Sequence, residues 1–136
     1  MRAGVSKINP NPFTTRPEIE GTFGVVTTTH WIATAVGMAT LEKGGNAFDA
    51  AVATAFVLQV VEPHLNGPGG DVPVILHDVK RGKPEVIYAA APAPAAATIA
   101  LFTELGLYIV PGTGLLSSFL PGLFVTCMLL LRDFVS

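Results

Sequence analysis

Gly44-Gly45-Asn46-Ala47-Phe48-Asp49-Ala50-Ala51-Val52-Ala53 is the stretch on which the fold of this chain turns. Two adjacent glycines stop one helix, because glycine takes the left-handed conformation past a helix end at little cost. Asn46 then caps a second helix, with Asp49 three residues on in a variant of the capping box. Over residues 47–61 apolar side chains occupy every face, so this helix is expected to be buried on nearly all sides. Its many alanines allow neighbouring backbones to approach closely. Pro63 marks its end, and Asn66-Gly67-Pro68-Gly69-Gly70-Asp71 reads as a loop.

Working outward, Ile32, Ala35, Val36 and Ala39 carry the i, i+3, i+4, i+7 spacing of the preceding helix, which starts near Trp31. Residues 22–28, β-branched and aromatic, suit a strand. Beyond the loop, residues 72–79 and 85–89 read as two strands joined by a hairpin at 80–84. An alanine-proline connector follows, then a short helix over 95–105 ending at Gly106. A strand is expected over 115–120, and Pro121-Gly122 opens a last helix. Residues 1–21 form an N-terminal arm rich in Pro, Asn and Thr, and 22–136 form one domain.

At 136 residues the chain is long enough for one core, yet only 13% of it is charged, where about a quarter is usual. Between Leu105 and Leu131 there is no Asp, Glu, Lys or Arg. That stretch needs a covering surface, either more polypeptide or a membrane. Pro111, Gly112, Gly114, Pro121 and Gly122 break it well short of the ~20 apolar residues of a span, so no membrane partner is expected. With an apolar helical pattern still running at its last residues, the chain is expected to be a truncated piece of a larger protein.

A net charge of −2 carries no polyanion signal. Lys80, Arg81 and Lys83 lie at a hairpin tip flanked by Asp78 and Glu85, and no nucleic-acid partner is expected. Cys127 is the single cysteine, and its apolar neighbours point to a buried inert thiol. No secretory signal is visible in residues 1–17, so a cytoplasmic location is expected.

The loop offers the clearest chemistry. Successive backbone N–H groups of Gly67, Gly69 and Gly70 can meet an anion or a developing oxyanion, although a tight helix-to-strand turn needs the same glycines. It lacks the Lys-Ser/Thr of a phosphate loop and follows a helix, which argues against nucleotide binding. Thr27-Thr28-Thr29-His30 invites a nucleophile-base reading, but its position at a helix start favours a satisfied or solvent-facing His30. His64 and Asp71 flank the loop without the further ligands a metal would need. His64 is expected to donate to a carbonyl at the helix end, and Asp71 either bonds within the loop or acts in the site.

Gly44 to Ala53, Val60-Val61-Glu62-Pro63-His64, Gly67-Pro68-Gly69-Gly70 and Ala93-Pro94-Ala95-Ala96-Ala97-Thr98, in this order, resemble the opening of the large chain of the γ-glutamyltranspeptidase family. The likeness covers residues 22–134, about the first quarter of such proteins. It implies an α+β fold: the N-terminal part of an αββα N-terminal-nucleophile (Ntn) hydrolase sandwich, incomplete in this chain. It also implies an autoproteolytic zymogen whose freed threonine attacks an amide, with its own amine as base. That threonine begins a separate small chain, so no catalytic residue is expected here. The fragment is expected to be inactive alone, with the missing C-terminal remainder and a small amide as partners and no cofactor or metal. A nonenzymatic remnant that only folds or binds is the alternative.

Substrate-binding roles are expected of Asn66, Gly69, Gly70 and Asp71, the last a charge where the family usually has glycine. The family's transpeptidases carry an Arg-Glu pair before Ala-Pro, where this chain has Ala90 and Ala91. Alanine cannot replace a bidentate carboxylate clamp. The chain therefore resembles a divergent branch that includes oxamate amidohydrolase-like enzymes.

Overall fold

The computed structural model describes residues 19–134, so most of the expected arm lies outside the described residues. Two helices come first, α1 (Trp31–Glu42) and α2 (Ala47–Val61), packed against each other. Their junction has the anatomy of a Schellman stop. The Gly45 N–H donates to Thr40 O and the Gly44 N–H to Leu41 O, each at 3.0 Å, with Gly44 at φ +93°. Gly45 is fixed by space, since an added Cβ would stand 2.9 Å from both Thr40 O and Thr40 Cγ2. Asn46 Oδ1 accepts from the N–H groups of Phe48 and Asp49, and Asp49 Oδ2 accepts from the Asn46 N–H. The capping box is thus complete, and α2 has the expected bounds.

Close approach of α1 and α2 rests on small residues. Ala33 is fully buried, and a Cβ at Gly37 would fall 2.5 Å from Thr54 Cγ2. The expected burial of α2 on nearly all sides is not observed. Ala50, Val52 and Thr54 are buried, Ala47, Ala51 and Val60 are exposed, and the rest lie between. Among the described residues, α1 and α4 are the helices that pack on it, and two neighbours cannot enclose a helix.

A hairpin follows: β1 (Val74–Asp78) pairs antiparallel with β2 (Lys83–Ile87), Val74 opposite Ile87 and Ile75 opposite Val86. Lys80 donates its N–H to Asp78 Oδ1, and Gly82 takes φ +66°, so the turn spans 79–82, and Lys83 and Pro84, expected in it, open β2. Next come α3 (Ile99–Glu104), a 3-10 turn (Leu115–Ser117) and α4 (Gly122–Asp133). The core lies between α2, α4 and the inner hairpin face. Val52, Leu76, Leu123, Cys127 and Leu130 form it, with Phe48, Phe56, Val74, Ile87 and Phe134 around them.

Two expected strands are absent. Residues 22–28 run without a ladder partner among the described residues, and Phe23 and Val25 are exposed. Residues 115–120 open as a 3-10 turn because Gly114 O accepts both the N–H and Oγ of Ser117. The helix expected over 95–105 is confined to α3, capped by the Thr98 side chain and closed by Gly106 at φ +72°.

The hairpin covers one side only. Ile75, Val86 and Tyr88 on its outer face are 81%, 68% and 83% exposed. The arrangement is a layer of helices under a small sheet whose other face is apolar and bare, which accords with part of an αββα sandwich.

Candidate functional site

The glycine loop is built from the end of α2. Glu62 caps that helix, and its carbonyl accepts from the N–H groups of Leu65 and Asn66, each at 3.0 Å, which turns the chain into the loop. The Glu62 carboxylate also accepts the hydroxyl of Thr29, so the segment before α1 is tied to the segment after α2. Farther on, Gly70 takes φ +85°, and Asp71 Oδ1 accepts from the Ala91 N–H at 3.0 Å. Val72 donates its N–H to Ala89 O, extending the hairpin ladder towards the loop.

The loop is wedged against the start of α4. Pro68 O accepts from the Phe124 N–H, and a Cβ at Gly69 would meet Phe119 O at 3.1 Å. A Cβ at Gly122 would lie 2.6 Å from Gly70 O and 2.8 Å from the Ala91 side chain. Three backbone segments meet there at a distance only glycine permits. Among the described residues the N–H groups of Gly69 and Gly70 donate to no acceptor, so neither is spent on holding the loop.

The four anticipated residues fall in two settings. Asn66 lines an open depression with Thr27, Thr28, Thr29, Thr54 and Leu65. Gly69, Gly70 and Asp71 are not among its walls and abut the 3-10-to-α4 junction and the 89–91 connector. The Asp71 carboxylate is engaged in the loop tie, and Ala90, next to its partner Ala91, is exposed. A larger cleft of about 620 Å³ follows β1 from Val74 to Lys80, opposite Phe48, Leu130 and Phe134, and contains none of the loop residues. Its walls are mainly apolar, and none of the anticipated site residues lines it.

His30 is the N-cap of α1, its Nδ1 accepting from the Ile32 N–H at 3.2 Å. The Thr28 hydroxyl donates to His30 O and lies 2.7 Å from the Thr34 hydroxyl. Both groups are occupied in starting the helix and do not form a nucleophile-base pair. His64 is solvent-exposed, with no carbonyl partner among the described residues. Cys127 is buried, and desolvation raises its thiol pKa, so the neutral form prevails. Among the described residues no cluster of three metal-ligating side chains occurs. No helix there is long and apolar enough to cross a membrane.

The Thr29–Glu62 tie has no signal in the sequence, where the two residues stand 33 positions apart. The approach of Asn66 to the triple threonine was equally invisible there.

Comparison with known proteins gives a consistent result. The family profile described as Gamma-glutamyltranspeptidase matches residues 33–135. The chain is 42% identical over 84 residues to the glutathione hydrolase proenzyme of Bacillus subtilis subsp. natto, covering 62% of this chain and 14% of that protein. The structure of LmbA2991 superposes with a TM-score of 0.83 and 56% identity, over 91% of this chain and 21% of that one. Helicobacter pylori gamma-glutamyltranspeptidase superposes with a TM-score of 0.77 and 29% identity, over 88% of this chain and 35% of that one. The chain thus spans about a seventh of the curated relative and a fifth to a third of the solved chains.

Proposed function

This chain belongs to the gamma-glutamyltranspeptidase family, and from that membership we propose that it supplies scaffold and substrate-side donors to an amide hydrolase or acyltransferase. The threonine nucleophile of that enzyme lies outside the present sequence. In the proposed reaction the threonine oxygen adds to the amide carbonyl, its proton passing through the threonine's own amine to the departing nitrogen. Water or an acceptor amine then takes the acyl group. The observation that carries the reading is the glycine loop, held against Gly122 and Ala91 with the Gly69 and Gly70 N–H groups unspent.

Those two amides would receive the polar or anionic end of the substrate, and Asn66, in its separate depression, would offer a neutral donor to another part of it. Asp71 holds the loop through Ala91 and repels a carboxylate placed near it. Ala90 provides no cation, which supports the oxamate amidohydrolase-like branch over enzymes that grip an amino-acid α-carboxylate.

The test is co-expression of this chain with the part of LmbA2991 that it does not match. The chain alone should give background hydrolysis of γ-glutamyl and small non-amino-acid amides, and the pair should hydrolyse the latter. Ala90→Arg should shift the pair's preference towards γ-glutamyl substrates. Turnover by the isolated chain that Thr28→Ala or Thr29→Ala abolishes would overturn the proposal.

A further inference from the structure

We propose that Glu62 is a positioning residue for Asn66, acting through its contact with Thr29. This rests on the reading of Asn66 as a substrate-side donor given above.

Glu62 is bonded to both walls of the depression that Asn66 and the threonines line. Its carbonyl takes the Leu65 and Asn66 N–H groups, which fixes where the loop leaves α2. Its carboxylate takes the Thr29 hydroxyl, which fixes the opposite wall at the entry to α1. The backbone at Glu62 has left the helical region, at φ −132° and ψ 56°, so no helical ladder holds it after its own N–H bond to Leu58 O. A residue in that conformation keeps its carbonyl aimed at Asn66 only while something holds it. The Thr29 hydroxyl is the side-chain partner the structure supplies.

Thr28 does not share this role, because its hydroxyl is committed to His30 O and Thr34. The division of labour gives the triple threonine a use without nucleophilic chemistry: the middle residue starts α1, and the last fastens the loop.

Two measurements test the proposal. In the 136-residue chain, hydrogen exchange at the Asn66 amide should quicken about fivefold in Glu62→Ala and in Thr29→Val, the loss expected from one hydrogen bond. Glu62→Gln and Thr29→Ser, which keep an acceptor and a donor, should exchange at the wild-type rate. The double variant Glu62→Ala with Thr29→Val should be no faster than either single one. In the co-expressed pair, Glu62→Ala should raise KM for the amide several-fold with kcat nearly unchanged, and Glu62→Gln should restore it.

Unchanged exchange in Glu62→Ala overturns the proposal, as does an active pair whose KM ignores that variant. A pair inactive even as wild type counts against the enzymatic reading. The exchange rates then decide by themselves whether Glu62 holds Asn66.

Discussion

Asn46 serves two ends of the molecule with one side chain. Its Oδ1 closes the capping box of α2, and its Nδ2 donates to Phe134 O at 2.9 Å, just past α4. Asp at this position keeps the cap and loses the donor, whereas Ala loses both. Asn46→Asp should therefore cost about 1 kcal/mol and Asn46→Ala about 2 kcal/mol in urea unfolding. Equal stability of Asn46→Asp and wild type would mean the Phe134 tie contributes nothing. Cys127 gives a second residue-scale expectation. Burial raises its pKa, so its contribution is complete below the unfolded thiol value, about 8.5, and declines as pH rises through the higher folded value. Iodoacetamide should label the native chain slowly at pH 8 and the guanidinium-unfolded chain faster by an order of magnitude or more. Rapid native labelling would contradict the burial.

Along α2, cover differs from residue to residue. Val52 faces the core at 3% exposure, and Val57 is only partly covered. Val52→Asp should unfold the chain outright, because an unpaired carboxylate would replace core packing, while Val57→Asp should leave a measurable folded population. Circular dichroism of the two variants distinguishes them, and equal loss would mean α2 is enclosed on both sides. The limits of α2 were legible because their signals are local: a glycine pair, a capping asparagine and an aspartate one turn on. The hairpin was legible for the same reason. The strands expected at 22–28 and 115–120 were not realised, since β-propensity measures fit to a paired surface and neither segment has a partner among the described residues. The site divides likewise. The glycines of the loop could be read directly, but the wedge at Gly122 and the Asp71–Ala91 bond depend on chain segments brought together only by folding.

At the scale of the whole molecule, one layer of helices supports a sheet whose second face is bare. The exposed side of α4, with Phe124, Val125 and Met128, adds further uncovered apolar area, as do Tyr108, Ile109 and Leu115. Surface of this kind seeks a partner, so the purified chain should self-associate in light scattering as concentration rises. Co-expression with the unmatched part of LmbA2991 should suppress that association; a stable monomer at high concentration would show that the surface needs no cover. The bare hairpin face also bears on the fate of the chain in a cell. Holdase chaperones and proteases recognise exposed apolar strands, and marginal folding is converted by them into abundance. Ile75, Val86 and Tyr88 would then act as a degradation signal that pairing erases, and the half-life of the chain would report on whether it has met its counterpart.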